Sequence, residues 1–382
     1  MRSTPARVRT LSGFLVSLLL AVSLQAAVHA PLPLGSPLPA FSLPGVNGHT
    51  YTPGDFKAAR LLVIVFTCNH CPTAQAYESR IKQLVADYGP RGVAFLAVNP
   101  NHAASVRLDE MGFTDLDDSF VAMKERAINH AFNFPYVDDG PTESFSEKLG
   151  PAATPHVFIF DQGRTLRYEG RIDNSERKPF VTQHTTRDAL DALLAGREPG
   201  LTRTKVFGCS IKWKEKAGDT RRWMEKVSLE PVSVGSATAD TLKALRTNVG
   251  SGKVRMIHVW ATWCGPCVSE FDEVVETNLR FRNRDFELIT VAAQFPDERP
   301  KVLPFLEKHH ASMRNLIFGM NDKYALMDAI DPEWNGALPY TLVVGPKGEV
   351  LYRCAGPIDF LELRRALVPA LNAVTAWPGM NG

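Results

Sequence analysis

Two apolar runs, each followed at once by a pair of cysteines, set the pattern of this chain. Residues 61–66 read LLVIVF and lead into TCNHC; residues 254–260 read VRMIHVW and lead into ATWCGPC. A short continuous apolar run ended by turn residues reads as a strand buried on both faces. After each cysteine pair comes a stretch with helical spacing, PTAQAYESRIKQLVADYG or VSEFDEVVETNLRFRNR, and then a second buried run, GVAFLAVNP or FELITVAAQF. Later, ATPHVFIFDQGRTLRYEGRID pairs with ALPYTLVVGPKGEVLYRCAGPID. Each of these holds a proline, an apolar strand, a glycine turn, a second strand and a final Gly-x-Ile-Asp. Each is followed by an amphipathic helix, TRDALDALLAG or FLELRRALVPALNAV.

The pattern predicts two copies of one α/β unit, each a mixed central β-sheet flanked by helices. A strand–helix–strand unit implies parallel pairing, and the late hairpin adds antiparallel strands. The predicted units are residues 32–215 and 228–378, joined by a linker at 216–227. The boundary lies in a charged stretch, 212–236, that lacks a sustained apolar period. A length of 382 residues suits two domains.

The first thirty residues differ. Arg2, Arg7 and Arg9 come without an acid, an apolar run extends from Leu11 to Leu24, and the small-residue stretch QAAVHA follows. That order is that of a secretory signal peptide, residues 1–30, with cleavage after Ala26 or Ala30. The run is shorter than the roughly twenty residues that span a bilayer; an uncleaved anchor is the alternative. The expectation is an exported protein, periplasmic or extracellular, with no membrane span after cleavage. Basic and acidic residues nearly balance, 43 against 41, which excludes the basic excess of a nucleic-acid partner.

Export bears on the six cysteines, because disulfides persist in oxidising compartments. Cys68–Cys71 and Cys264–Cys267 form two C-x-x-C pairs; Cys209 and Cys354 stand apart. The spacing alone allows a metal site, a structural disulfide or a redox dithiol. The paired knuckles of a four-cysteine zinc site usually sit close in sequence, whereas here each pair opens its own helix in its own repeat. The redox reading is favoured, with no metal and no cofactor expected. A thiolate is the attacking species in disulfide exchange, and a helix N-terminus stabilises it. Cys68 and Cys264 are therefore expected exposed and acidified at helix starts. Cys71 and Cys267 are expected in the first turn as the thiols that release the substrate. His70 puts an imidazole beside the first pair. Cys209 and Cys354 are read as bystanders, and His309 and His310 as solvated.

The second copy resembles thioredoxin-fold reductases, above all exported ones that service cytochrome c maturation and other extracytoplasmic thiols. Trp263, Cys264, Gly265, Pro266 and Cys267 match that active turn, Pro339 stands at the family's cis-proline, and Glu270 matches an acid of the exported members. His258 departs from the pattern, standing where thioredoxin has a buried aspartate. The first copy resembles the peroxiredoxin-related redoxin branch through LGSPLPAFSLPGVNG, CNHCP, DSFVAMKERA and FGCSIKWK, with Pro155 at the cis-proline position. It lacks the peroxidase signature, since His70 stands where that signature has its cysteine. The resemblance implies two tandem thioredoxin folds and a thiol–disulfide oxidoreductase with a role in redox homeostasis. It would act on protein or small-molecule thiols and disulfides, with a redox partner supplying or accepting electrons. Gly265-Pro266 is the reducing choice of intervening residues, and a histidine there, as in Asn69-His70, the oxidising one. Two alternatives stay open. One is a thiol peroxidase in the first unit, recycled by the second, with antioxidant activity. The other is a binding module without turnover.

Overall fold

The two apolar runs are the central strands of two separate sheets. The computed structural model describes residues 29–375 and 377, so most of the signal-peptide expectation falls outside the described residues. In the N-terminal half the strands are β1 (Leu61–Phe66), β2 (Val93–Asn99), β3 (Tyr136–Asp138), β4 (His156–Phe160) and β5 (Leu166–Gly170), in the spatial order β3-β2-β1-β4-β5. β1 pairs parallel with β2 and antiparallel with β4, placing Phe66 opposite His156. In the C-terminal half they are β6 (Val234–Ala237), β7 (Val254–Trp260), β8 (Phe286–Ala292), β9 (Arg314–Phe318), β10 (Tyr340–Val344) and β11 (Val350–Ala355). The order there is β11-β10-β7-β8-β9-β6. Read from its other edge this is the first sheet again, with β6 added in parallel beside β9. Each half is a thioredoxin fold, as the resemblance implied, and the two halves repeat as the paired sequence pattern implied.

All six residues of β1 and all seven of β7 are buried. Both faces of each sheet are covered, in the first by helices on one face and by the segments around Phe41, Phe56 and Phe145 on the other, which is why these strands carry no alternation. Each buried aliphatic or aromatic side chain contributes about 1.5–3 kcal/mol over leaving it in water. In the N-terminal half α1 (Pro72–Tyr88) follows β1, α2 (Phe120–Asn129) precedes β3, and α3 (Thr185–Leu194) closes the unit. α4 (Ala217–Ser228) and α5 (Ala239–Thr247) lead into the second half, where α6 (Gly265–Phe281) follows β7. There α7 (Arg299–Lys308), α8 (Lys323–Ile330) and α9 (Phe360–Val374) complete the layers. Among the described residues no helix is long and apolar enough to cross a membrane.

Several elements escaped the sequence pattern, α4, β6 and β3 among them. α4 runs through the stretch expected to be a linker; only Val227 of its twelve residues is buried, and its largely charged, exposed composition read as linker. β6 is four residues long with two buried, and β3 has three residues. Both edge strands are too short for an alternation to register.

The halves meet where the C-terminal end of α6 reaches the loop before α2. The buried Arg280 guanidinium donates to the carbonyls of Met111 (3.1 Å) and Thr114 (2.9 Å), and Arg284 donates to Gly112 (2.7 Å). From α9, Arg364 donates to the Asp115 carbonyl at 2.8 Å, and Arg365 pairs with Glu125. A Cβ on Gly112 would lie 2.9 Å from the Arg280 carbonyl oxygen, so this approach needs glycine.

Candidate active site

In the N-terminal half the chain leaves β1 at Thr67, runs through Cys68, Asn69 and His70, and enters α1 at Pro72. Proline is favoured at the first position of a helix, where its missing N–H would be unpaired anyway. The helix cap therefore falls on Cys71, whose sulfur accepts from Ala74 N at 3.4 Å. In the C-terminal half proline comes one residue before the second cysteine, the helix starts at Gly265, and the cap is Cys264, accepting from Cys267 N at 3.3 Å. This corrects the expectation that Cys68 and Cys264 hold equivalent places. The position of proline within CNHCP and CGPC was the signal that distinguishes them. The expected exposure is corrected too: Cys68 and Cys264 are 2 % and 6 % exposed.

The residues between Cys68 and Cys71 turn inward. Asn69 N and His70 N both donate to Asp118 Oδ1 (2.8 and 3.0 Å), while His70 Nδ1 lies 2.6 Å from Asp118 Oδ2 and Asn101 Nδ2 donates to the same oxygen at 2.8 Å. Asn69 donates to the Asp117 carbonyl and accepts from Tyr136 OH. His70 Nδ1 also lies 3.6 Å from Cys68 Sγ, and Thr154 Oγ1 lies 3.4 Å from it. Cys71 Sγ sits 3.4 Å from the carbonyl of Thr154, which precedes the cis proline Pro155. Cys68, His70 and Asp118 present ligand-type atoms within 4.8 Å of one another. Asp118 already accepts those four hydrogen bonds from this chain, whereas the buried His70 Nε2 has no hydrogen-bond partner among the described residues.

Asp118 is the residue sequence reasoning missed. It opens DSFVAMKERA, which was read only as a point of resemblance, and nothing in the linear order ties it to Cys68. Its effect is electrostatic. Burial pushes the His70 imidazole down, but the Asp118 charge and hydrogen bond outweigh this and raise its pKa above the ordinary value. Burial likewise pushes the Cys71 thiol up. Hydrogen bonding from Cys209 and Cys68, with the His70 charge, reverses that and holds Cys71 well below its ordinary range. Cys68 is pushed well above it, by burial first. The acidic thiol of this pair is thus Cys71, the helix cap, and not Cys68 as expected.

The C-terminal half presents Cys264 and Cys267 joined in a disulfide of 2.03 Å. Trp263 beside it is 65 % exposed. The Leu338–Pro339 bond is cis, and Pro266 occupies the second position of α6. Next to Trp263 lies a groove of about 520 Å³ whose lining includes Phe295, Met320, Tyr324, Met327 and Leu338. Glu270 is buried one turn into α6; its Oε2 accepts from Ile358 N at 2.9 Å, and burial raises its pKa. His258 lies within β7, its Nδ1 3.0 Å from Thr341 Oγ1 and its Nε2 3.9 Å from Glu270 Oε1. His309 is not solvated as expected: its ring lies 4.3 Å from that of Phe305, and Nδ1 contacts Asp272 at 2.5 Å.

Burial lowers the His258 pKa to about 3. The folded pKa is depressed, so between that value and the unfolded value near ~6.5 the unfolded chain binds a proton the native chain does not, and stability falls with falling pH. The expected loss is about 2 kcal/mol by pH 5, at about 1.4 kcal/mol per unit. Denaturant unfolding at pH 7 and pH 5 should show it, and His258→Asn should flatten it; an equal pH slope in the variant would show that His258 is not its source.

A family model described as Redoxin matches residues 33–190 and 230–366. The chain is similar to the thiol:disulfide interchange protein CycY of Rhizobium leguminosarum bv. viciae, 28% identical over 144 residues, or 37% of this chain and 72% of that protein. It is also similar to a thiol:disulfide interchange protein DsbE homolog of Paracoccus denitrificans, 25% identical over 152 residues, covering 39% and 78%. Among solved structures it is similar to an uncharacterized conserved protein from Geobacillus kaustophilus, 36% identical over 48% of this chain and 93% of that one, with a TM-score of 0.43. With the model matched in both halves, over most of its length, the chain belongs to the Redoxin family.

Proposed function

We propose that this protein is an extracytoplasmic thiol–disulfide oxidoreductase with two redox centres, Cys68–Cys71 and Cys264–Cys267, one in each of two domains at 32–215 and 228–378. The observation that carries the reading is that both pairs lie where a central strand gives way to a helix whose cap is one of the two sulfurs. A helix N-terminus stabilises a thiolate through its dipole and unpaired N–H groups. The first cysteine pair is held in an enclosed polar network, and the second lies beside an exposed tryptophan and an apolar groove suited to a partner polypeptide. The similarity to proteins named for thiol:disulfide interchange supports the same chemistry, and the order of residues 1–30 supports export.

In each exchange the capping thiolate attacks a partner disulfide, a mixed disulfide forms, and the other cysteine of the pair displaces the partner as a thiol. At the second centre Cys264 attacks and Cys267 resolves; at the first the capping thiol is Cys71. The test is reduction of insulin disulfides and oxidation of a dithiol peptide by the purified chain. Catalysis of either supports the proposal. Reductant-dependent consumption of hydrogen peroxide with neither exchange activity would favour the peroxidase, and inactivity in all three assays the binding module.

A further inference from the structure

Cys209 does not stand apart from the first centre. It packs against the buried cluster of Cys68, Cys71 and Ala74. Its backbone forms an antiparallel bridge with Thr154, whose N–H donates to the Cys209 carbonyl at 3.0 Å. Thr154 is the residue whose carbonyl lies 3.4 Å from Cys71 Sγ and whose hydroxyl lies 3.4 Å from Cys68 Sγ. Gly208 makes the approach possible: its φ is +135°, and a Cβ there would lie 2.0 Å from the Thr154 carbonyl oxygen. Beyond Cys209 the segment is pinned again, Lys212 N donating to Asn101 Oδ1 at 2.9 Å and its carbonyl accepting from His102 N at 2.9 Å. Among the three sulfurs Cys209 alone is partly exposed.

Resting on the oxidoreductase reading, the geometry points to Cys209 as a third member of the first redox centre, exchanging with the Cys68–Cys71 pair through a Cys71–Cys209 disulfide. In the step, Cys209 loses its proton and its sulfur attacks Cys71 Sγ of the Cys68–Cys71 disulfide. The Cys71–Cys209 bond forms as the Cys68–Cys71 bond breaks. Cys68 departs with the electron pair and takes up one proton, so no external oxidant or reductant is consumed. Thr154 Oγ1 and His70 Nδ1, the two groups beside Cys68 Sγ, are placed to stabilise it as it leaves. The step carries the oxidising equivalent from a buried pair to a cysteine that is partly exposed. Its function is access: a partner thiol too bulky for the buried pair meets the disulfide at Cys209. A thiol poised within one protein outcompetes the same thiol free in solution.

The experiment uses the full chain with Cys264→Ser and Cys267→Ser, so that only the first centre reports. Four forms are compared: Cys68 and Cys209 both present, Cys68→Ser, Cys209→Ser, and Cys68→Ser with Cys209→Ser. Each is reduced, treated with oxidised glutathione, quenched by alkylation and mapped by mass spectrometry of non-reduced peptides. The expected result is a Cys71–Cys209 linked peptide in the Cys68→Ser chain. Glutathione on Cys71 should there be more than about tenfold lower than in the double variant. The chain with both cysteines should yield both linked peptides. Cys71 carrying glutathione in the Cys68→Ser chain as heavily as in the double variant, with Cys209 free, would overturn the proposal. That outcome leaves the oxidoreductase reading standing whenever the Cys209→Ser chain still forms Cys68–Cys71; absence of that disulfide there and in the parent chain would instead sink the reading on which the proposal rests.

Discussion

Replacing Cys264 by serine in a chain that already carries Cys68→Ser and Cys71→Ser is expected to bring insulin-disulfide reduction down to the uncatalysed rate. With the first centre silenced, all remaining exchange passes through Cys264, the α6 cap beside the exposed Trp263. A serine there keeps the shape of the turn but gives no nucleophile comparable to a thiolate. The loss should exceed about 10³-fold, the scale seen when a nucleophile is deleted. Cys267→Ser in the same background should fail differently, retaining attack but accumulating the mixed disulfide, because Cys267, buried in the first turn, is the sulfur that displaces the partner. Turnover retained in both single variants would rule out a dithiol mechanism at this centre.

The second large effect is expected at His70. The buried Cys71 thiol is acidified by its hydrogen bonds from the neighbouring sulfurs and by the His70 imidazole, whose pKa Asp118 raises. A dithiol whose thiolate is stabilised has a stabilised reduced form and is the stronger oxidant. The helix terminus acts in both halves and largely cancels between them, whereas the His70–Asp118 pair exists only in the first. The first centre should therefore be the more oxidising of the two. His70→Asn should lower its potential by about 30 mV for each unit of Cys71 acidity lost, and should leave the second centre unmoved. Asp118→Asn should shift it the same way, by removing the carboxylate that raises the His70 pKa. An unchanged first potential in His70→Asn would mean that the imidazole only fills space.

The repeat, the two sheets and the two cysteine pairs were legible because their signals are local. An unbroken apolar run such as LLVIVF describes a strand buried on both faces, and cysteines at the strand–helix junction need only that junction to be located. What was not legible depends on distant pairing. Asp118 lies 48 residues from His70 along the chain, and Cys209 reaches the site because Gly208 lets its segment close on Thr154. The inequality of Cys68 and Cys264 was in the sequence all along, in the place of one proline, but the matched C-x-x-C spacing concealed it. α4 was missed for a different reason: with one residue buried, its charged and exposed composition read as a linker.

The most direct measurement is a redox titration of the intact chain. Equilibration across a series of glutathione ratios, acid quenching and alkylation would give the fraction of each cysteine pair oxidised, peptide by peptide. The account predicts two reversible two-electron transitions, one per centre, with the Cys68–Cys71 centre oxidised only at the higher potential. A pair that stays wholly reduced or wholly oxidised across the range, or two centres that titrate together, would contradict it.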